Sequence, residues 1–311
     1  MDFSRGKLCI LACLTPLVTA CGGGASDDTL GRAGSGGSVA EDTYEGLTDE
    51  ARLTQSNLNR FLIALFGDRG LTGLPEAFLF ESALETLRNR IVSGGSTEFS
   101  QLIACFPGTV DVSAITNANT SFFNISALYS VCDETNATLD GSLNTNVSYN
   151  GSFAAGADKL SENLTYRDLE IQSGGSILEV DGEEELDFNL LDDSREVEKE
   201  ITITDRDSDD QFYYNGITVE LDDSGPFPTN LEELSGTYFD SENGFVTLST
   251  LPSTRYSGNA VLVSGAIGSE ILLDYEDQTD QVIITLDENG DGTAESTLSL
   301  THSAFDQLVN P

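Results

Sequence analysis

From about residue 97 onward the chain alternates apolar and polar residues with a period of two. The pattern is plain in VEKEITIT (197–204), GITVEL (216–221), FVTLST (245–250) and VIITL (282–286). A period of two places one set of side chains on each face of an extended strand, so each run can bury one face and wet the other. Gly, Asn, Asp and Pro punctuate the runs at short intervals, which predicts antiparallel strands joined by short turns. The long crossovers of a doubly wound fold are absent from the pattern. The expected fold is therefore mainly β, an antiparallel meander over residues 96–311. An open twisted sheet, a partly closed barrel and a sandwich all satisfy it.

A weak internal repeat runs through this region. Phe122-x-x-Ile125-x-Ala127 recurs as Tyr166-x-x-Leu169-x-Ile171 and as Tyr214-x-x-Ile217-x-Val219. Each copy is followed by a glycine, at Gly141, Gly182 and Gly236, which reads as a turn between two strands.

Ahead of the strands, residues 47–95 carry a helical period. Leu58, Phe61, Leu62 and Leu65 fall on one face, with Thr48 as a candidate cap and Asp49 and Glu50 at the positive end of the dipole. Gly67 and Gly70 interrupt the pattern. A second helix is expected from Pro75, with Phe80, Leu84, Leu87 and Ile91 as its stripe and the Ser93–Gly95 run as its stop. The expected role is a hairpin or plug packed on the β part.

Residues 1–20 have the layout of an export signal. Arg5 and Lys7 precede an apolar core, Leu8 to Val18, which is too short for a membrane-spanning helix of about 20 residues. Residues 21–46 are rich in Gly and Ser, bury almost nothing, and read as a flexible tether about 25–30 Å in coil dimension. Cys9 and Cys13 leave with the signal, so Cys21, Cys105 and Cys132 remain, an odd number for an exported chain. The stretch LVTAC, residues 17–21, resembles the lipobox of bacterial lipoproteins. That resemblance implies cleavage before Cys21, a diacylglycerol and further acyl chain on its sulfur and amine, and a membrane anchor of two or three chains, enough for stable attachment. Gly22 after the cysteine implies sorting to the outer membrane, with the periplasmic or exterior face left open. With Cys21 lipidated, Cys105 and Cys132 are left to pair as a disulfide in an oxidising compartment.

The chain of 311 residues carries 53 acidic and 14 basic residues, a formal net charge of −39. Such a surface repels nucleic acid and anionic lipid and attracts divalent cations or basic partners, besides conferring solubility in a salty medium. The residues that most resemble a metal site are in LDENGDGTAES (286–296). Asp287, Asn289 and Asp291 occupy alternate positions before Gly292, and Thr293 could add a carbonyl, as in a calcium loop. Position 12 is Leu298 rather than a bidentate Glu, and the flanks read as strands, so a hairpin turn explains the same residues. A second acidic loop holds Asp205, Asp207, Asp209 and Asp210 but lacks the glycine. His302 is the one histidine, and no nucleophile or orienting acid is marked beside it. The Cys pair, the Asp-Gly dipeptides and the terminal Asp287–Gly292 hairpin together resemble β-rich lipoproteins of Gram-negative, often marine, bacteria, which implies the same architecture and compartment. The expected role is non-catalytic binding or scaffolding in the cell envelope, with an envelope protein or glycan as partner. A calcium-assisted carbohydrate- or adhesion-binding module and a carboxylate-based glycan hydrolase are the alternatives.

Overall fold

The computed structural model describes residues 39–67, 70–71, 98–105, 107–117, 122–134, 137–152, 156–173, 175–189, 194–222, 231–252, 259–276 and 280–310. The signal segment, Cys21, the tether to residue 38 and the helix expected from Pro75 lie outside the described residues.

Fourteen strands follow in chain order: β1 (Glu98–Ala104), β2 (Thr109–Asn117), β3 (Phe122–Glu134), β4 (Ala137–Ser152), β5 (Gly156–Ser173), β6 (Ser176–Asn189), β7 (Ser194–Asp205), β8 (Asp210–Asp222), β9 (Leu231–Asp240), β10 (Gly244–Pro252), β11 (Asn259–Ser264), β12 (Glu270–Glu276), β13 (Gln281–Asp287) and β14 (Ser296–Thr301). They form one antiparallel sheet whose spatial order is their sequence order. Of the three expected architectures, the open meander is the one formed. The alternation does its expected work: in β6 and β7, Leu178, Val180 and Leu186 face Val197, Ile201 and Ile203 on the buried side, while Glu183, Glu185 and Glu198 are exposed on the other.

Three short α-helices, α1 (Val39–Thr43), α2 (Leu58–Phe66) and α3 (His302–Val309), and one 3-10 turn at Ala266–Gly268 complete the described structure. Helices α2 and α3 pack together on the inner face. The predicted stripe of Leu58, Phe61, Leu62 and Leu65 is buried, with Phe66 added, each side chain worth roughly 1.5–3 kcal/mol when fully removed from water. Phe61 meets Tyr238 edge-on at 6.2 Å, Phe305 of α3 lies 6.1 Å from Phe66, and the Tyr214 hydroxyl donates to the Ala64 carbonyl at 2.8 Å.

The helix starts at Leu58, not near Thr48. Residues 47–54 are instead held extended, because their backbone groups bond the ends of the β9–β10 and β11–β12 hairpins. Ala51 N–H donates to the Phe245 carbonyl (2.7 Å), Phe245 N–H to the Asp49 carbonyl (2.9 Å) and Ala266 N–H to the Ala51 carbonyl (2.7 Å). The docked chain also begins before residue 47, the expected end of the tether. Ala40 of α1 is fully buried on the outer face of β6–β8, its carbonyl accepts from the Thr202 hydroxyl at 2.6 Å, and the Tyr44 ring lies 5.7 Å from both Tyr213 and Phe239. The N-terminal segment thus wraps one hairpin end, from the outer face to the inner.

Gly141, Gly182 and Gly236 are not turns. They lie inside β4, β6 and β9, at φ of 115°, 124° and 127°. Each sits beside a β-bulge. The register skips between Tyr129 and Cys132 in β3, between Tyr166 and Leu169 in β5, and between Asn215 and Thr218 in β8. The bulged residues Val131, Asp168 and Gly216 have φ of 49°, 46° and 56°. A Cβ on Gly182 would strike the Glu200 carbonyl oxygen of β7, so only glycine lets the two backbones approach there. The tyrosine that opens the bulge stands directly opposite the glycine in two copies, Tyr129 with Gly141 and Tyr166 with Gly182, and opposite Tyr238 in the third, so the structural counterpart of Tyr166 and Tyr214 is Tyr129 rather than Phe122. Bulges bend strands and increase local twist.

Candidate functional site

Cys105 follows β1 and Cys132 lies in β3, and the two form a disulfide with Cα atoms 5.2 Å apart. The turn they brace also bonds β3 through Asp133 N–H to the Pro107 carbonyl at 3.1 Å. Closing a loop of this length contributes roughly 3–4 kcal/mol in the chain-entropy view.

The loop between β13 and β14 is ordered by its own carboxylates. Asp287 Oδ1 accepts from the backbone of Asn289 (3.1 Å) and Gly290 (2.7 Å), and Oδ2 from Gly292 (2.8 Å). Desolvation pushes the Asp287 carboxyl up, but the backbone N–H groups of Asn289, Gly290, Gly292 and Asp291 outweigh it and hold it below its ordinary range. Carboxylate oxygens of Asp287, Asp291 and Glu295 lie within 4.8 Å of one another. Asn289 and Thr293 do other work. Asn289 Oδ1 accepts from Asp291 N–H at 2.9 Å while its amide nitrogen donates to Glu295, and Thr293 N–H donates to Asp291 Oδ1 at 2.8 Å. Glu295, at the ninth position of the calcium pattern, is the member that sequence reading missed. Leu298, at the twelfth, lies in β14.

The other acidic loop is spent on structure. Asp205 Oδ1 accepts from Asp207 N–H (2.9 Å) and Ser208 N–H (3.4 Å), and Asp210 meets Arg60 of α2 at 3.3 Å. A third grouping, Asp168, Glu179 and Asp181, surrounds the β5 bulge. Asp181 Oδ1 accepts the bulged Asp168 N–H at 2.8 Å and Arg206 pairs with Glu179.

The outer face of β6 and β7 holds the densest charge. Three acidic pairs stand directly opposite one another: Asp187 with Glu196, Glu185 with Glu198, and Glu183 with Glu200. Glu196 is in turn opposite Glu220, and Glu220 opposite Glu233, so one row of carboxylates crosses four strands. Glu220 is pushed up from the ordinary carboxylate range, first by desolvation and then by Glu233, Glu196 and Glu232. It borders a hollow of about 260 Å³ with Asp187, Arg195, Glu196 and Glu232. A second hollow of about 220 Å³, on β1–β4, is lined by Ser100, Asp111, Ser113, Ser126, Leu128 and Ser142.

Inside the sheet, Lys199 and Glu184 are fully buried and directly paired across β6–β7, with Nζ 3.5 Å from Oε1. Nζ donates to the Gly70 carbonyl at 3.0 Å, and the Tyr166 hydroxyl donates to Glu184 Oε2 at 3.1 Å. Desolvation pulls the lysine down and Glu184 opposes it. This set ties the chain after α2 to the sheet. His302 is the first residue of α3, and its Nδ1 lies 3.2 Å from Asp280. Comparison with protein-family models, curated proteins and solved structures finds no match.

Proposed function

We propose that the chain is an outer-membrane lipoprotein, anchored through Cys21, whose β sheet is a non-catalytic binding or scaffolding surface for a cationic partner in the envelope. One observation carries the binding face: the facing acid pairs of β6 and β7, with Glu220 and Glu233 extending their row. Like charges directly opposite on a sheet destabilise it. A fold does not need such a row, whereas a surface that receives a basic segment or a cation-bridged glycan does. The hollow there is open and polar, suited to a chain laid across strands rather than to a small molecule enclosed. The anchor rests on the lipobox resemblance and on the pairing of Cys105 with Cys132, which leaves Cys21 the unmatched cysteine after signal removal. Titrating full-length protein in detergent with a deca-lysine peptide tests the surface. Binding that weakens steeply between low and high salt, and is lost in E185Q/E198Q/E220Q, is expected. Equal binding by wild type and triple variant would refute the surface, and an unmodified Cys21 in the intact mass would refute the anchor.

A second reading is favoured by the convergence of Asp287, Asp291 and Glu295. In it, a calcium ion held by the β13–β14 loop assists binding of a carbohydrate or adhesion partner. Millimolar calcium then raises the melting temperature and chelator lowers it, and D287N abolishes the difference. Melting indifferent to both removes this reading.

A further inference from the structure

We propose that β14 is a self-pairing edge, through which a second copy of this chain adds its own β14 antiparallel and continues the meander across a two-fold axis. Among the described residues, strand β14 closes the sheet order and pairs with β13 alone. Its flank is open: Thr297, Leu298, Ser299 and Thr301 are all exposed. An edge strand presents a row of backbone donors and acceptors to any strand that fits it, and natural edges are blunted by charge, proline or a bulge. None of these occurs in STLSLT.

The sequence also selects the occupant. Thr297-Leu298-Ser299-Leu300-Thr301 reads the same in both directions. A two-fold axis through Ser299 sets Thr297 opposite the second copy's Thr301 and Leu298 opposite its Leu300, the pairings that stabilise antiparallel sheets. The leucines face the core side. Leu298 is directly opposite Ile284 and Leu300 opposite Val282, both buried, yet Leu298 itself is 38% exposed for want of a further strand. The added strand would cover it. Charge points the same way. In a chain of net charge −39, two copies meeting at β6–β9 would set carboxylates against carboxylates, whereas β14 is uncharged along its whole length. Helix α3 leaves the end of β14 toward β13 and α2, away from the open edge. A single six-residue strand pair covers less area than the roughly 800 Å² per partner of a standard stable interface, so the dimer is weak and concentration-dependent.

Sedimentation of full-length protein in detergent over roughly 1–200 µM should show monomer passing to dimer. Ser299→Asp places two carboxylates at the axis and should weaken association roughly tenfold. Ser299→Cys should give a disulfide-linked dimer on oxidation, which Ser208→Cys, exposed on the β7–β8 turn, should not. A monomer at every concentration would overturn the proposal. So would a dimer that S299D leaves intact while S299C cross-links no better than S208C. S299C, the smaller change, decides should S299D lose the fold.

Discussion

Lys199→Met isolates the energetics of the Lys199–Glu184 ion pair buried inside the sheet. Both side chains of the Lys199–Glu184 pair are fully removed from solvent. Methionine nearly matches the length and volume of lysine, so the change leaves no cavity and removes only the charge and its hydrogen bond to Gly70. Glu184 then keeps the Tyr166 hydroxyl as its donor but loses its counter-charge. Orphaning one member of a buried pair typically costs about 3–5 kcal/mol, several times the worth of a surface pair. Urea unfolding at neutral pH with the disulfide intact should therefore shift its midpoint down by about 1–1.7 M for a slope near 3 kcal/mol/M. K199M/E184L removes both charges, and should recover most of the loss or exceed wild type, because apolar replacement of a whole buried pair is often neutral or stabilising by about 1–4 kcal/mol. A single variant as stable as wild type, or a double variant no better than the single, would show that the pair is not the desolvated, mutually dependent unit its burial implies.

Glu220→Gln should stabilise the protein at neutral pH by about 0.2–1 kcal/mol, less at high salt, because it removes one member of the carboxylate row. The folded-state pKa of Glu220 is raised, so its contribution is fully present below the ordinary value of 4.5 and is lost as pH climbs. The gain in melting temperature should accordingly vanish below about pH 4, and a gain that persists there would refute the repulsion. Gly182→Ala should destabilise by more than the roughly 1 kcal/mol of an ordinary glycine substitution, read from the urea midpoint, because its Cβ meets the β7 backbone. On the alkaline side, Tyr166, Tyr214, Tyr238 and Tyr275 are all raised above 10.0, in each case chiefly by desolvation. Their contribution is present below pH 10 and lost above it. At about 1.4 kcal/mol per group per pH unit, four together steepen the loss to roughly 5 kcal/mol per unit. The share of tyrosinate absorbance due to these four of the nine tyrosines should therefore appear together with the loss of far-ultraviolet circular dichroism, and complete tyrosinate formation near pH 10 on a folded protein would contradict the burial. Replacing Cys105 and Cys132 by alanine should cost roughly 3–4 kcal/mol in the same unfolding assay.

What could be read from residues alone tracks where the physics is local. Period-two alternation decides which face of a strand is buried, so the strands were legible, as was the stripe of α2. The start of α2 was not. Thr48, Asp49 and Glu50 make a plausible helix beginning, but residues 47–54 find backbone partners on hairpin ends some two hundred residues away, and those bonds override local preference. The Asp-Gly dipeptides misled for a related reason. At 140–141 and 181–182 the glycine is needed for a positive φ, as in a turn, yet the cause is a bulge in the neighbouring strand, which no short-range pattern records. Their spacing from Tyr129 and Tyr166 was the available signal, because the tyrosine that opens each bulge is buried opposite its glycine.

The same division separates the two acidic features. The β13–β14 loop was visible as a motif because its carboxylates act within a few residues, bonding their own backbone. The carboxylate row across β6–β9 was invisible, although every member could be counted, because only strand register makes Asp187, Glu196, Glu220 and Glu233 neighbours. Register also sets its energetic meaning. Shifting β7 by one residue against β6 would exchange Glu196 and Glu198 for Val197 and Lys199 on the outer face and bury the acids. The buried Lys199–Glu184 pair exists in the observed register alone, with the Tyr166 hydroxyl donating to Glu184. The acidic row outside and the ion pair inside are consequences of one alignment, so the repulsion on the outer face cannot be relieved by slippage. It can be relieved by protonation or by a cation, and that is the ground on which we propose this face as a binding surface.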